Sequence, residues 1–423
     1  MDFSDTTEEA AFRMEARAWL DANATPKAHP NQTWASVLED KTRDNIVRLC
    51  KEFQSRRHAD GWACLHWPKE YGGRGCTAIE RVIYGQEESR YIVPRGVVEI
   101  GQGMAGPILM KYATADQKAR YLPPMATGEE IWCQIFSEAS AGSDLAGLRM
   151  AATKDGDADD ADWILDGEKI WTSGAHYSDF GITIARSDGA VAKHKGLTFF
   201  FIDMKSPGIS IAPIRQISGS SHFNSVRFDN VRVPDAQRLG AVGEGWKVAL
   251  ATLMNERVSV GEAPGPDFEQ IFALAQTVEL NDRPAIENQM VRSKLAHWYC
   301  ETAGLKNTRM RSVSALSRGE TPGPENSITK LVSATKAQDI ARFGADLMDQ
   351  CAVITDPDLV LGDGRFQQSY MQSPAMRIAG GTDEILRNII AEHVLKLPSE
   401  PRADKGLAFS EIPTGNVAGE TGP

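Results

Sequence analysis

"WILDGEKIWTS", residues 163–173, breaks a helical chain with a different period: short strand-like runs flank an Asp166-Gly167 pair that reads as a tight turn. Two later stretches share this character. "GLTFFFID" (196–203) is the unbroken apolar run of a buried strand, and "SVRFDNVRV" (225–233) sets Val226 and Phe228 against Arg227 and Asp229 with period two. Residues 131–236 are therefore expected to form a small β domain.

On either side the period is helical. Asp5 and Glu8 stand three apart as a capping pair, and Phe12, Ala16, Trp19 and Leu20 mark one face. Further helical runs fall near 41–59, 77–90 and 115–122, so residues 1–130 read as an N-terminal helical domain. After Pro234 come runs at 244–261, 266–280, 285–318, 326–354 and 382–397, separated by Gly- and Pro-rich breaks; residues 237–398 are expected to pack as an antiparallel bundle. The last stretch, 399–423, holds little apolar material and reads as a loose tail. The fold class is α+β.

Bulk properties narrow the partners. With 46 basic and 57 acidic residues the net charge of −11 argues against nucleic acid. The acidic opening "MDFSDTTEEA" is no secretory signal and no run approaches 18 apolar residues, so a cytoplasmic protein without membrane association is expected. Cys50, Cys64, Cys76, Cys133, Cys300 and Cys351 are dispersed without a C-x-x-C, which favours reduced thiols. The histidines show no ligand spacing, and no metal site is expected.

Three stretches carry chemistry. "FSEASAGSDLAG" (136–147) combines small residues, which let a flat ring or phosphate approach the main chain, with the donors Ser137 and Ser143. In "EKIWTSGA" (168–175) Trp171 offers a stacking face and Ser173 a hydroxyl. "RIAGGTDEI" (377–385) is a helix start with Thr382 as N-cap and Asp383 and Glu384 in the first turn. Taken alone, the first is more often just a loop and the second a core Trp on a strand.

Together with "WPKEYGG" (67–73), "QKARYLPPMATGEEIWCQI" (117–135), "FDNVRVP" (228–234) and "GGTDEILRNIIAEHVLKLP" (380–398), these stretches occur in an order that resembles the acyl-CoA dehydrogenases over nearly the whole chain. The resemblance implies a helical N-terminal domain, a middle β domain, a C-terminal four-helix bundle and bound FAD. At matching positions Phe136, Ser137, Gly142, Ser143, Trp171 and Ser173 would line the flavin, with Ser173 near N5, while Thr382 and Glu384 would contact FAD, Glu384 replacing the usual amide. Ser143, Arg257 and Gly380 would meet the substrate.

The implied reaction is α,β-dehydrogenation of an acyl-CoA thioester, which requires a base facing the α carbon, donors on the thioester carbonyl and a flavin opposite the base. Many members place the base immediately before a Gly-Thr; here that position is Gly380, which offers only its N–H to the carbonyl. A substitute acid belongs on an otherwise apolar face, where desolvation raises its pKa. In "GWKVALATLMNERVSVG" (245–261), at about 100° per residue, Trp246, Ala249, Leu253 and Val260 form one stripe and Glu256 falls inside it. Some members, isovaleryl-CoA dehydrogenase among them, carry the base on this helix in a Glu-Arg pair, and Glu256-Arg257 matches that arrangement.

Two family motifs are missing: "DQCAVIT" (349–355) replaces a glycine-rich FAD contact, and no R-x-x-F-G occurs near "NDRPAIENQ" (281–289), which leaves Arg283 or a partner chain to grip the rest of FAD. The resemblance implies reoxidation by an electron-transferring flavoprotein and a homotetramer, with a heterotetramer as second choice. A subunit completing another chain's flavin site, and a flavin oxidase, remain as alternative functions. "EIGQGMAGPIL" (99–109) is assigned to the acyl pocket, its Gly101, Gly103 and Gly106 serving either to leave space or to let helices approach.

Overall fold

The computed structural model describes residues 5–28, 32, 34–259, 265–318, 326–354, 356, 359–402 and 404–413, without the side chains of 35, 36, 255–259, 316, 317 and 326. The chain divides into two compact units, Met1–Asn45 with Gly75–Pro94 and Arg257–Pro398, and Ile46–Arg74 with Arg95–Glu256 and Ser399–Pro423.

A seven-stranded sheet organises the second unit. Its strands are β1 (Trp132–Ile135), β2 (Ala151–Lys154), β3 (Trp163–Ser173), β4 (Phe180–Arg186), β5 (Leu197–Asp203), β6 (Ile209–Ile214) and β7 (Phe223–Val233). They run in the order β1-β4-β2-β3-β7-β6, and β5 pairs antiparallel with β4. Every residue of β4 is buried, as is "LTFFFI" of β5, which is why these segments show no alternation. Phe199 and Phe201 face one core with Trp67, Ile108, Leu122 and Val248, whereas Phe200 and Ile202 face another with Trp163, Leu165, Val226 and Phe228.

The expected Asp166-Gly167 turn is corrected to a bulge. β3 is one continuous strand whose register against β7 shifts between Leu165 and Gly167 and again between Lys169 and Thr172. Gly167 takes φ +147, and a Cβ there would come within 2.9 Å of Met150 Cα, so the glycine serves a bend rather than a reversal.

Helices pack against this sheet. "GQGMA" (101–105) forms a π-helical turn leading into the helix Gly106–Tyr112. A Cβ on Gly106 would lie 2.1 Å from the Trp67 ring, so this glycine permits close packing rather than opening a pocket. The helix Gly245–Ser259 buries Val248, Ala249 and Thr252, with Trp246 and Leu253 only partly covered, so Ala249 faces inward as expected while Trp246 and Leu253 together flank one edge of the inward stripe. Val260 lies outside the described residues.

In the other unit, helix Thr7–Asn23 starts from a capping box of Thr6 and Glu9, one residue beyond the expected Asp5 and Glu8, because Asp5 is engaged by Arg13. Phe12, Ala16 and Leu20 are buried as the pattern required. Buried Glu87, on the helix Ala78–Glu88, gathers Arg13, Arg17 and Arg90 at 3.1, 2.9 and 3.2 Å. Farther along, helices Phe268–Thr277, Gln289–Ser317, Asn326–Met348 and Arg365–Met376 share a core built on Leu274, Leu295, Trp298, Ile340, Leu347 and Phe366. The sequence pattern does not predict the helix Arg365–Met376, because the glycines before it and its internal Pro374 mask a pattern whose one large buried apolar anchor is Phe366. The helix after Thr382 is α-helical only over Asp383–Ile389 and continues as a π turn to Val394. Among the described residues no helix is long and apolar enough to cross a membrane.

The segment expected to be a loose tail is docked on the β unit in part. Phe409 and Ser410 N–H groups donate to Val191 and Gly189 carbonyls at 2.8 and 2.9 Å, and the Phe409 ring lies 3.7 Å from the Arg186 guanidinium. One aromatic residue and backbone pairing suffice to seat it, a signal that composition averages away. Residues 414–423 lie outside the described residues.

Candidate functional site

In the β unit, the loop that follows β1 is held to β3 by a buried ion pair. Lys169, fully buried, donates to Glu138 Oε1 at 2.8 Å and to the Phe136 carbonyl at 2.9 Å. Glu138 also accepts the N–H groups of Arg149 and Met150 at 2.7 and 2.9 Å, and Ile170 N–H donates to the Ser137 carbonyl at 2.9 Å. Burial pushes the Lys169 ammonium down to about 8 in spite of the carboxylate beside it. Neither member was chosen from the sequence. The available signal was Lys169 itself, a charge at an inward position two and four residues after Gly167 and Leu165.

This brace fixes the loop's outer part. Glu138 and Ala141 exchange backbone hydrogen bonds at 3.0 Å, which turns Gly142 and Ser143 out to the surface, and a Cβ on Gly142 would meet nothing within 4 Å. The Phe136 side chain points inward, packed edge-on against Phe199 at 5.6 Å, so only its backbone faces the loop. Ser137 is half-buried.

β3 supplies the other wall. Its second bulge places Trp171 at φ +62, a left-handed conformation that costs a side-chain-bearing residue about 1–2 kcal/mol. The result reverses the local alternation: Lys169 and Thr172 face in, while the Trp171 ring is 53% exposed, propped edge-on by Phe223 at 5.9 Å. A large aromatic held outward in a strained backbone is a poor use of a core residue and a good platform for a flat ring. Next to it the buried Thr172 Oγ1 has no partner, and half-buried Ser173 ends the strand. Open space at Gly142 and an exposed aromatic platform fit a bound ring system.

The helical unit carries the second group of expected residues. Gly380 and Gly381 take φ +66 and +98, and Thr382 caps the helix by accepting from Ile385 N–H at 3.2 Å. Lys330 donates to the Gly381 carbonyl. Asp383, 2% exposed, is gripped by Arg377 at 2.5 Å, and Arg377 also reaches Gln338 at 2.8 Å, so this acid orients the loop rather than a ligand. Glu384 and Gly380 are exposed and Thr382 half-buried. Arg283 is exposed on a small hairpin with Glu279–Leu280. The side chains of Glu256 and Arg257 lie outside the described residues; their backbone continues the helix Gly245–Ser259.

One measurement separates platform from ornament. Trp171→Gly should leave folding stability within about 1 kcal/mol, since released backbone strain offsets the lost Phe223 contact. Flavin affinity should fall by about tenfold or more. Unchanged flavin titrations would remove Trp171 from the site.

Models of the acyl-CoA dehydrogenase N-terminal, middle and C-terminal domains match residues 6–129, 133–231 and 243–395. The acyl-CoA dehydrogenase IpdE1 of Mycobacterium tuberculosis is 36% identical over 92% of this chain and 98% of its own length. FadE34 of the same organism, also named an acyl-CoA dehydrogenase, is 36% identical over 84% of this chain, which spans only 47% of that protein. Among solved structures, the Tcur3481-Tcur3483 steroid ACAD superposes with a TM-score of 0.74 at 25% identity over 95% of this chain and 100% of that one. The ChsE4-ChsE5 complex from Mycobacterium tuberculosis gives 0.73 at 26% identity, with the same coverage. With all three domain models matched in order and relatives above one-third identity over most of its length, this chain belongs to the acyl-CoA dehydrogenase family.

Proposed function

We propose that the protein catalyses FAD-dependent α,β-dehydrogenation of an acyl-CoA thioester, with Glu256 as the base that removes the α proton. The observation that carries the reading is the strained, outward Trp171 beside a loop braced by buried Lys169 and Glu138, an arrangement that stability alone does not favour. FAD, when bound, supplies the acceptor for the β hydride. Ser137, Gly142 and Ser143 would receive it through small side chains and hydroxyls, Trp171 through its ring face and Ser173 through its hydroxyl, while Thr382 and Glu384 belong to the same assignment in the helical unit.

The Gly380 N–H would polarise the thioester carbonyl, which lowers the barrier to α-proton removal because charge develops on that oxygen. Ser143 and Arg257 complete the substrate contacts in this reading. A carboxylate lends itself to the proton step when it lies among apolar neighbours that hold its pKa near the working pH. An electron-transferring flavoprotein is the proposed reoxidant. A homotetramer is the proposed assembly; the two-protein complex of the relatives ChsE4 and ChsE5 favours pairing with a different chain as the second reading.

Anaerobic titration of the purified, flavin-loaded protein with acyl-CoAs tests this. Bleaching of the flavin band by at least one of a short, a branched and a steroid-derived acyl-CoA is expected; the last is included because the structural relative Tcur3481-Tcur3483 is named a steroid ACAD. A protein that takes up FAD and is bleached by none of them, yet by dithionite, would sink the proposal.

A further inference from the structure

Two cations on the β unit connect the loop 136–147 to the C-terminal segment. Lys193, nearly buried, donates to Asp144 at 2.9 Å and to Asp404 at 2.5 Å, and Asp404 is also held by Arg402 at 2.8 Å. Arg186, 8% exposed, donates to the Lys193, Ala146 and Leu148 carbonyls at 2.5, 2.6 and 3.2 Å, and its outer face is covered by Phe409. The segment itself is zipped to 189–192 by the Phe409 and Ser410 amides and a bridge between Ala192 and Ala408.

From this geometry we infer that Arg402 and residues 404–410 are a positioning latch for the loop carrying Gly142 and Ser143. The physical argument lies in where the bonds end. Asp144 immediately follows Ser143, yet its side chain is 62% exposed, so water would compete for it unless Lys193 were pinned from behind. Asp404 pins it. In the same way, covering Arg186 with an aromatic ring desolvates its bonds to Ala146 and Leu148 and strengthens them. The carboxyl of Asp404 is held well below the usual range by Arg402 and Lys193, so the latch stays charged through the neutral range. Release of the segment would leave the strands intact and free the loop. Its effect on cofactor binding rests on the reading of that loop as a cradle.

The test uses the full chain with Phe409→Ala and Asp404→Asn, and with Phe409→Trp and Asp404→Glu as conservative controls. Hydrogen exchange is followed on FAD-free protein, and FAD affinity is measured separately by fluorescence titration. Peptides covering 138–150 should exchange about tenfold faster in the first two variants, with those of β5 unchanged, and the controls should restore protection. The FAD dissociation constant should rise about tenfold in the same two variants. Unchanged protection of 138–150 would overturn the latch, as would equal loss of protection in β5 or an unaltered FAD constant in a wild type that binds FAD. A wild type that takes up no FAD would instead dismiss the cradle reading, and the exchange data then decide the latch alone.

Discussion

Glu256→Gln is expected to fold, to bind FAD and to stay yellow, but to lose flavin reduction by acyl-CoA by about 10²–10⁴-fold, the usual contribution of a positioned general base. The substitution is nearly isosteric and removes only the ability to accept a proton. Helical register sets position 256 four residues after Thr252 and seven after Ala249, on the line of the stripe that packs into the β unit's core. The loss should appear in the rate of bleaching under anaerobic single-turnover conditions and not in the substrate dissociation constant. Equal bleaching rates in both proteins would move the base elsewhere, and Gly380 leaves the position before Gly381 unable to supply it.

Glu138→Gln should be the most destabilising single change in the candidate site, costing about 3–5 kcal/mol, because it leaves the fully buried Lys169 ammonium without its counter-charge. Lys169→Met should cost much less, since Glu138 keeps two backbone N–H donors from Arg149 and Met150. Denaturant unfolding of the two variants measures the asymmetry, and equal losses would contradict it. A pH dependence accompanies the pair. Lys169 titrates near 8 when folded against an ordinary 10.5, so below 8 both states carry the proton and the burial penalty is complete. Between those values the unfolded chain binds more protons, and stability should rise with pH in that window. Lys169→Met should show no such rise. Both variants should also bind FAD more weakly, because each loosens the loop's attachment to β3.

How far the site was legible in the sequence differs residue by residue. Trp171, Ser173 and the 136–147 loop stand out because small residues, a lone aromatic and hydroxyls cluster where the period changes, and their family resemblance covers the chain in order. That Trp171 faces outward was not legible, since strict alternation from Leu165 would have set Lys169, Trp171 and Ser173 on one face. The second bulge, formed by register with β7, puts Thr172 inside instead. Phe136 resembles a flavin contact by position, but the ring belongs to the core with Phe199 because β1 runs parallel beside buried β4.

By itself the sequence determined the succession of helical, strand and helical segments, because hydrophobic periodicity is a local property that each element must satisfy to bury one face. It also determined the family and the absence of an acid at Gly380, both of which are matters of residue order. Only the tertiary structure decided that Asp166-Gly167 bends a strand, that Lys169 and Glu138 brace the loop, and that Arg186 and Lys193 join it to the C-terminal segment. The reason is one of range: strand register and the pairing of charges 31 and 49 residues apart depend on which surfaces meet, and no local pattern encodes that meeting.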